Sequence, residues 1–372
     1  MRVLIAPQEF KGSLTAVEAV DAIQVSVARV MPDAEIDRAP LADGGPGTVE
    51  AIVHAARGRT SIGRVDGPLG APVDARWGRI DDGRCAVIEM AAASGLTLLS
   101  AGELDVDRAS TYGTGQLIVH ALDSGVERIL IGVGGSATND GGSGMAEALG
   151  AVLLDEHDRR LPSGGAALAR LARIDVRQLD PRLDRTDIRV LCDVRNPLLG
   201  PKGASAVYGP QKGAKPAQVA QLDRALANYA AIVERDLGVR VGDIPGGGAA
   251  GGLAAGLVAF CGATLQSGFD AVADAVGLAD RVAQADLVIT GEGRLDTQSA
   301  YGKTVAGVAA LSRSLNVPCL AVAGLIEGDA AVSGIADREA STPEGVSVED
   351  AMTRADELVR DAVVRLLQRY SR

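Results

Sequence analysis

The sequence predicts an α/β protein in which a second, mixed α/β domain is inserted into a domain built on a parallel sheet. Strand-like apolar runs alternate with helical patterns over the first 60 residues and again from about residue 286, which is typical of a parallel sheet. The intervening stretch begins with a different rhythm, and 372 residues exceed what one hydrophobic core usually serves. We therefore predict a discontinuous domain at 1–60 and 286–372 and an inserted domain at 61–285.

The first four elements form a strand–helix–strand–helix pattern. The run "RVLIAP" is short, apolar and ended by Pro7, which favours a buried strand, and "LTAVEAVDAIQVSVARVM" has its apolar residues at helical spacing. Thr15 and Glu18 have the spacing of a capping box at the start of this helix. The segments "EIDRAPLA" and "TVEAIVHAA" predict a second strand and a second helix. Strands that are each followed by a helix indicate a parallel sheet.

The pattern changes near Arg59 and later returns to strand and helix. Short alternating runs separated by the turns "DGPLG" and "DDG" predict an antiparallel meander. From near Tyr112, helices alternate with the strands "RILIGVG", "AVLLD" and "DIRVLCD", and the long helix "AQVAQLDRALANYAAIVER" follows. The first domain is then completed by the strand "ADLVITG", the helix "YGKTVAGVAALSRSLN", the strand "VPCLAVAG" and the terminal helix "SVEDAMTRADELVRDAVVRLLQRY".

The composition excludes several classes of protein. A formal net charge of -11 and a pI near 4.9 leave no dense basic surface for a nucleic-acid backbone, and 2% aromatic residues offer few stacking platforms for single strands. One uncharged stretch, from Ile244 to Phe269, is mostly Gly and Ala, so we predict a glycine loop leading into a buried helix rather than a membrane span. We therefore expect neither a nucleic-acid partner nor a membrane.

The cysteines and the N-terminus indicate a cytoplasmic location. The four cysteines are widely separated, and neither they nor the three histidines have zinc-binding spacing, so we expect buried thiols in a reducing compartment. The N-terminal "MRVLIAP" runs directly into a strand pattern, without the basic region and longer apolar core of a signal peptide.

The glycine-rich segment "GVGGSATNDGG", residues 132–142, has three interpretations. Gly132, Gly134 and Ala137 match G-x-G-x-x-[G/A] between a strand and a helix, and Asp155 lies where the ribose-binding acid of a dinucleotide site would lie. Against a dinucleotide, the turn carries hydroxyl, amide and carboxylate groups that suit a metal-bound phosphate, namely Ser136, Thr138, Asn139 and Asp140. The third interpretation is a purely structural turn. The pattern alone leaves all three open.

Two further loops follow strands at the edge of a parallel sheet where ligands bind. The segment "TQSAYGKT" matches the end of a P-loop, but Thr297 stands in place of the first glycine, which argues against a standard P-loop fold. In "APLADGGPGT", Asp43 follows a strand and two glycines open a helix. This segment is either a ligand-binding turn or an ordinary turn in which Asp43 caps the helix. The stretch from "VITGEGRLD" through "GKT" also places four charged residues after a strand, namely Glu292, Arg294, Asp296 and Lys303.

A fourth loop, "CDVRNPLLGPKGASAVYGPQKGA", is too long and too polar to serve only as a connection. Asp193 and Asn196 follow the strand "RVLC", and Gln211 and Lys212 lie near the end of the loop. The four loops together carry carboxylates, amides and cations but no histidine. A carboxylate base, a magnesium ion and cationic side chains are the components of phosphoryl transfer, which is the chemistry that these residues favour.

Seven blocks occur in order along the chain: "FKGSL", "ADGGPGT", "TYGTGQLI", "GVGGSATNDGG", "CDVRNPLLGPKGASAVYGPQKGA", "GAAGGL" and "DLVITGEGRLDTQSAYGK". Together they resemble the type I glycerate kinases, and the resemblance covers nearly the whole chain. Enzymes of that family phosphorylate D-glycerate from ATP and Mg²⁺, usually on the 2-hydroxyl. The resemblance therefore implies a kinase that gives 2-phosphoglycerate, with glycerate and ATP as small-molecule partners. It leaves the oligomeric state open, a homo-oligomer included.

The resemblance also implies a fold and a use for the glycine-rich segment. The family has a Rossmann- or flavodoxin-like domain split in sequence around an inserted α/β domain, with the active site in the cleft between them. The segment "GVGGSATNDGG" would then handle substrate and phosphate, because its glycines let backbone N–H groups approach an anion. The chain departs from the usual "APDSFKGSL" and "ADGGEGT" at Gln8, Glu9 and Pro46, which bears on activity and substrate choice.

These considerations assign a role to each candidate residue. The candidate catalytic residues are Asp193, as the base or the orienting carboxylate at the attacking hydroxyl, Asp43, as the next candidate base, and Lys11. Glu292 and Asp296 are expected to arrange Mg²⁺. Lys11 is also expected to neutralise phosphate or the glycerate carboxylate, together with Lys212, Lys303 and Arg294. The remaining substrate or phosphate contacts are expected from Gly134, Gly135, Ser136, Thr138, Asn139, Asp140, Asn196 and Gln211.

Two alternative functions rest on fewer residues. An NAD(P)-dependent oxidoreductase acting on a small hydroxy acid would use Gly132, Gly134, Ala137 and Asp155 as a dinucleotide site. A non-catalytic sugar-acid sensor would be suggested only by the departures from the family pattern.

Overall fold

The computed structural model of the protein describes residues 1–295, 304–327 and 332–370, and it confirms the α/β class. Two compact units are present. The first unit comprises Met1–Asp43, Glu50–Arg57 and Phe269–Arg372, and the second comprises Gly44–Val49 and Gly58–Gly268. Compared with the predicted ranges, residues 44–49 and 58–60 belong to the second unit, and residues 269–285 belong to the first.

Within the described ranges, the strands are β1 (Arg2–Ile5), β2 (Glu35–Arg38), β3 (Arg59–Asp66), β4 (Pro72–Ile80), β5 (Cys85–Glu89), β6 (Arg128–Gly132), β7 (Val152–Leu154), β8 (Arg173–Asp175), β9 (Asp187–Leu191), β10 (Thr264–Gln266), β11 (Leu287–Leu295), β12 (Cys319–Ile326) and β13 (Asp337–Ala340). The α-helices are α1 (Ala16–Val30), α2 (Thr48–Ala55), α3 (Ala91–Ser94), α4 (Tyr112–Asp123), α5 (Ser143–Ala148), α6 (Ala204–Tyr208), α7 (Pro216–Leu237), α8 (Leu253–Cys261), α9 (Gly268–Ala275), α10 (Leu278–Ala283), α11 (Thr304–Ser314), α12 (Val348–Thr353) and α13 (Ala355–Tyr370).

The first unit contains a parallel sheet in the order β13-β12-β11-β1-β2, as the alternating pattern at both ends of the chain predicts. Helix α1 begins with the predicted capping box, in which Thr15 Oγ1 accepts from the N–H of Glu18 and the N–H of Thr15 donates to the Glu18 carboxylate. Its apolar face packs with α13, and Val20, Ile23 and Val363 are fully buried in the same core. Burying this face is what fixes α1 on the sheet.

The second unit is built on a six-stranded mixed sheet in the order β10-β9-β6-β5-β4-β3. Strands β3, β4 and β5 form the predicted antiparallel meander, and β5, β6, β9 and β10 run parallel. Strand β7 does not join this sheet, because it pairs with β8 in a separate two-stranded ribbon. Trp77, Met90 and Phe260 lie in the core of the unit.

The uncharged stretch from Ile244 to Phe269 contains a glycine-rich turn that leads into the largely buried helix α8, as predicted. Across residues 1–295, 304–327 and 332–370, no helix is long and apolar enough to cross a membrane. The four cysteines are unpaired; Cys85, Cys261 and Cys319 are buried, and Cys192 is partly exposed.

Two glycine-rich turns of the second unit pack backbone against backbone. A Cβ at Gly132 would lie 2.6 Å from the carbonyl oxygen of Gly44, and a Cβ at Gly134 would lie 2.7 Å from Cα of Gly45. Gly44 itself has a φ of +90°, and a Cβ there would lie 2.7 Å from the carbonyl oxygen of Leu191. Side chains at these positions would push the turns apart, so glycine is needed for this approach.

Replacing Gly132 with Ala tests this approach. The added methyl group would meet the Gly44 carbonyl oxygen, so we expect Gly132→Ala to lower the free energy of unfolding by about 2–3 kcal/mol. Gly102→Ala is the matched control, since no atom lies within 4 Å of its Cβ position, and it should change stability by less than about 0.5 kcal/mol. Urea unfolding of both variants is the measurement, and equal stabilities would contradict the packing argument.

Candidate functional site

The polar loops of the second unit lie at the carboxyl ends of β6 and β9, which are parallel neighbours. Strand β6 is followed by residues 133–142, called here the glycine loop, and β9 is followed by the loop that begins at Cys192. Ligands bind preferentially outside the carboxyl ends of parallel strands. The fold therefore brings two of the predicted loops to one edge of one sheet.

Asp140 is the centre of the hydrogen bonds that shape the glycine loop. Its fully buried carboxylate accepts from the N–H and the hydroxyl of Thr111, both at 2.8 Å, and from the N–H groups of Gly142 at 3.1 Å and Gly144 at 3.2 Å. Burial raises the pKa of the Asp140 carboxyl, and these hydrogen bonds oppose the rise. Asp140 therefore ties the starts of α4 and α5 to the loop.

Lys212 holds the glycine loop from inside the second unit. Its side chain is 1% exposed, and Nζ donates to Ser136 Oγ at 2.7 Å and to the carbonyl oxygen of Thr138 at 2.5 Å. Burial lowers the pKa of Lys212 to about 7, and the charge of Asp140 opposes that change. The lysine predicted to bind phosphate thus also fixes the position of the loop.

The other polar side chains of the glycine loop are buried. Ser136 is 6% exposed, and Thr138 and Asn139 are fully buried. Asn139 Nδ2 donates to Ser205 Oγ at 2.9 Å, whereas Asn139 Oδ1 and Thr138 Oγ1 have no hydrogen-bond partner among the described residues. Direct contact of these groups with substrate stays a prediction, because their recorded contacts are with the protein.

The surface of the glycine loop is formed by Gly134 and Gly135. Gly134 is partly exposed and Gly135 is exposed, with a left-handed φ of 74° at Gly135. In the part of the chain that the structure describes, the N–H groups of Gly135 and Ser136 have no protein acceptor. Successive N–H groups of this kind form concave anion-binding sites. The Pro46 ring lies beside Gly135, 3.4 Å from where a Cβ would be.

The residues after β9 are used partly within the protein. The exposed Asp193 accepts from the N–H of Gly268 at 2.8 Å, at the first residue of α9. Asn196 Nδ2 donates to the carbonyl oxygen of Lys202, and Asn196 Oδ1 accepts from the Tyr208 hydroxyl, both at 2.8 Å. Gln211 is exposed beside the buried Lys212. Asn196 therefore crosslinks its own loop, and Asp193 as the base stays a prediction.

The first unit carries carboxylates in or after β11, β1 and β2, which are consecutive strands of its sheet. Glu292 lies in the second half of β11 and is 8% exposed, Glu9 follows β1, and Asp43 follows β2. Burial and the charge of Asp43 raise the pKa of Glu9, and Lys11 lowers it. Lys11 is exposed. This edge therefore collects like charges that a cation would stabilise.

Strand β11 extends to Leu295, so Arg294 lies in the strand and not in the predicted loop after it. Arg294 is 56% exposed and forms an ion pair with Glu327. Asp296 and Lys303 lie outside the described residues. Gln8, the first departure from the family pattern, is buried.

The structure argues against the dinucleotide alternative. Gly132 and Gly134 are glycines because Gly44 and Gly45 pack against them. The Asp155 carboxylate accepts from the N–H groups of His157 and Arg159 and from Arg159 Nε, which lowers its pKa to about 2. Asp155 therefore closes a tight turn after β7, a strand that lies outside the six-stranded sheet. The glycine spacing that matches the dinucleotide fingerprint is therefore explained by backbone packing within the protein.

Sequence reasoning missed several residues that build the site. Thr111 donates a hydrogen bond to Asp140, and Ser205 accepts one from Asn139. The Tyr229 hydroxyl donates to the carbonyl oxygen of Gly141 at 2.9 Å. Thr111 lies in the block "TYGTGQLI" and Ser205 in the block "GASAVYGPQKGA". Both blocks belong to the resemblance to the glycerate kinases, which is the signal that could have identified these two residues. Tyr229 lies in the long helix α7 and gave no such signal.

The comparisons with known proteins agree on one family. Residues 3–371 match the model of the glycerate kinase family. A glycerate kinase of Halalkalibacterium halodurans is 48% identical over 97% of this chain and 96% of its own length. A glycerate 2-kinase of Escherichia coli is 48% identical over 89% of this chain and 87% of its own length. A crystal structure from Salmonella typhimurium LT2, provisionally described as glycerate kinase 2, covers 100% of this chain and 98% of its own with a TM-score of 0.91 and 47% identity.

The role of Asp140 can be tested by Asp140→Asn. The asparagine side chain has nearly the same shape as aspartate, but its NH₂ group would face N–H donors that now bond to the carboxylate. The substitution also removes the negative charge that favours the protonated form of Lys212. We therefore expect a loss of about 3–5 kcal/mol in the free energy of unfolding. Asp74→Asn is the control, since Asp74 is 63% exposed and pairs with Arg64 at the surface. It should cost less than about 1 kcal/mol. Two equally small losses would contradict a central role for Asp140.

Glu147 on α5 gives the unit a pH-dependent stability. Burial, with a contribution from Asp140, raises the pKa of Glu147 to about 7, and Arg160 opposes the rise. The unfolded carboxyl loses its proton near pH 4.5, so the stability that the protonated Glu147 contributes should fall between pH 4.5 and 7 and then stay level. We expect wild type to lose stability relative to Glu147→Gln across this window. Parallel stability curves from thermal unfolding would contradict this.

Proposed function

Because the chain belongs to the glycerate kinase family and phosphorylates glycerate, we propose that ATP is the phosphoryl donor and the 2-hydroxyl of D-glycerate the acceptor. The Escherichia coli relative carries the name glycerate 2-kinase, which supports the choice of hydroxyl. A cytoplasmic location is part of the proposal, since four unpaired cysteines suit a reducing compartment.

The observation that carries this proposal is the surface of the glycine loop. The N–H groups of Gly135 and Ser136 lie together beyond the carboxyl end of β6, which runs parallel to β9, and the amine of Lys212 contacts the Ser136 hydroxyl. Backbone N–H groups bind an anionic oxygen without a side chain, so the site suits a phosphate or the glycerate carboxylate. Gln211, Asn196 and Asp193 would line the neighbouring part of this edge, with Asp193 orienting the attacking hydroxyl.

Mg²⁺ would be held in the first unit by Glu292, with Asp296 as its second predicted ligand. No group of three His, Cys, Asp or Glu side chains in the described ranges could hold a metal by itself, and Mg²⁺ usually binds one or two carboxylates together with phosphate oxygens. Glu292 fits that mode, because it is nearly buried in β11, and Glu9 and Asp43 follow β1 and β2 of the same sheet. When bound, Mg²⁺ would neutralise the phosphate charge. Lys11, Arg294 and Lys303 would supply further positive charge.

The donor and the product can be determined in one reaction. Purified protein with ATP, Mg²⁺ and D-glycerate should release ADP in a coupled assay, and phosphorus NMR of the product should show a phosphate on carbon 2. Omitting glycerate gives the background rate, and adding EDTA should stop the reaction. A phosphate on carbon 3 would refute the proposed acceptor hydroxyl, and turnover unchanged without ATP would refute the donor.

A further inference from the structure

The contact between Ser136 and Lys212 has the geometry of a hydroxyl–amine pair. Ser136 Oγ lies 2.7 Å from Lys212 Nζ, both side chains are more than nine-tenths buried, and both residues belong to the second unit. The same nitrogen lies 2.5 Å from the carbonyl oxygen of Thr138, which can only accept. The amine is therefore held in one place by a fixed acceptor while its other contact is a hydroxyl that can donate or accept.

We propose that Ser136 and Lys212 relay the proton that the acceptor hydroxyl loses during phosphoryl transfer. The proposal rests on the proposed function. As the glycerate oxygen bonds to the γ-phosphorus and the bond from that phosphorus to the bridging oxygen breaks, ADP leaves. The glycerate proton passes to Ser136 Oγ, and the Ser136 proton passes to Lys212 Nζ. The products are ADP, phosphoglycerate and an ammonium group, so atoms and charges balance.

The surroundings of Lys212 suit an amine that gains and loses a proton. Burial disfavours the ammonium form and lowers the pKa of Lys212 to about 7, so the amine has a lone pair above neutral pH. The neighbouring charge of Asp140 stabilises the ammonium once it forms. Burial, and after it the charge of Asp140, also raise the pKa of Tyr229 and of Glu147, so both groups lie within reach of the same carboxylate.

The position of Ser136 makes it the member of the pair that the substrate would reach. Ser136 is 6% exposed against 1% for Lys212, and it follows the exposed Gly135 directly. An anion on the N–H groups of Gly135 and Ser136 would therefore lie beside the Ser136 hydroxyl. Ser136 is accordingly the catalytic residue, and Lys212 acts through it.

Three variants and a pH profile test the relay. Ser136→Ala removes the connecting hydroxyl, and Lys212→Arg keeps donors for Ser136 and Thr138 but has no lone pair at neutral pH. We expect each to lower kcat by roughly 10²-fold, the range for loss of general-base catalysis, with a much smaller change in KM for ATP. Ser94→Ala is the matched control, because Ser94 is a fully buried serine of the same unit whose hydroxyl contacts Thr114 at 2.8 Å. It should keep near wild-type kcat.

The wild-type pH profile makes the test independent of whether a variant folds. kcat should fall as pH drops through about 7, where the amine becomes protonated. Glu147→Gln should keep this limb, which separates Lys212 from the other group with a pKa near 7. A wild-type kcat that does not fall as pH drops through about 7 would overturn the relay. Full kcat in Ser136→Ala or Lys212→Arg, or loss of the limb in Glu147→Gln, would overturn it as well. Wild-type protein without ADP release on D-glycerate would instead refute the proposed function.

Discussion

The buried carboxylate of Asp140 is the interaction on which the site depends. A charged group enclosed by protein is costly unless hydrogen bonds replace the lost water, and here Thr111, Gly142 and Gly144 supply four of them. These bonds join the glycine loop to Thr111, just before α4, and to Gly142 and Gly144 at the start of α5. The same charge balances Lys212, whose amine in turn holds Ser136 and Thr138.

Backbone packing explains why this loop is rich in glycine. Gly132 and Gly134 allow Gly44 and Gly45 to approach closely, and the same spacing happens to satisfy a dinucleotide fingerprint. Glycines in such a fingerprint serve either close approach to a ligand or close approach to protein, and the sequence cannot separate the two. In this chain Gly132 and Gly134 meet protein, whereas the next glycine, Gly135, is exposed.

Local patterns predicted the fold better than they predicted the site. The capping box at Thr15, the β3–β5 meander and the parallel sheet of the first unit follow from periodicity and turn residues, which are local properties. The pairing of β7 with β8 joins strands about 20 residues apart and is not set by the local pattern of either strand. The predicted single terminal helix is instead two helices, α12 and α13, separated at Arg354. Composition marked the glycine loop as polar, but whether Thr138 or Asn139 faces a ligand or the protein is decided by residues far along the chain, such as Gly251 and Ser205.

The most direct measurement of the central claim is a crystal structure of this chain with D-glycerate bound. The account predicts an anionic oxygen of the ligand within about 3.2 Å of the N–H groups of Gly135 and Ser136. It also predicts a glycerate hydroxyl within hydrogen-bond distance of Ser136 Oγ, and the contact between Ser136 and Lys212 preserved. Glycerate bound elsewhere, with Ser136 still closed off from it, would contradict the claim that the glycine loop binds the substrate.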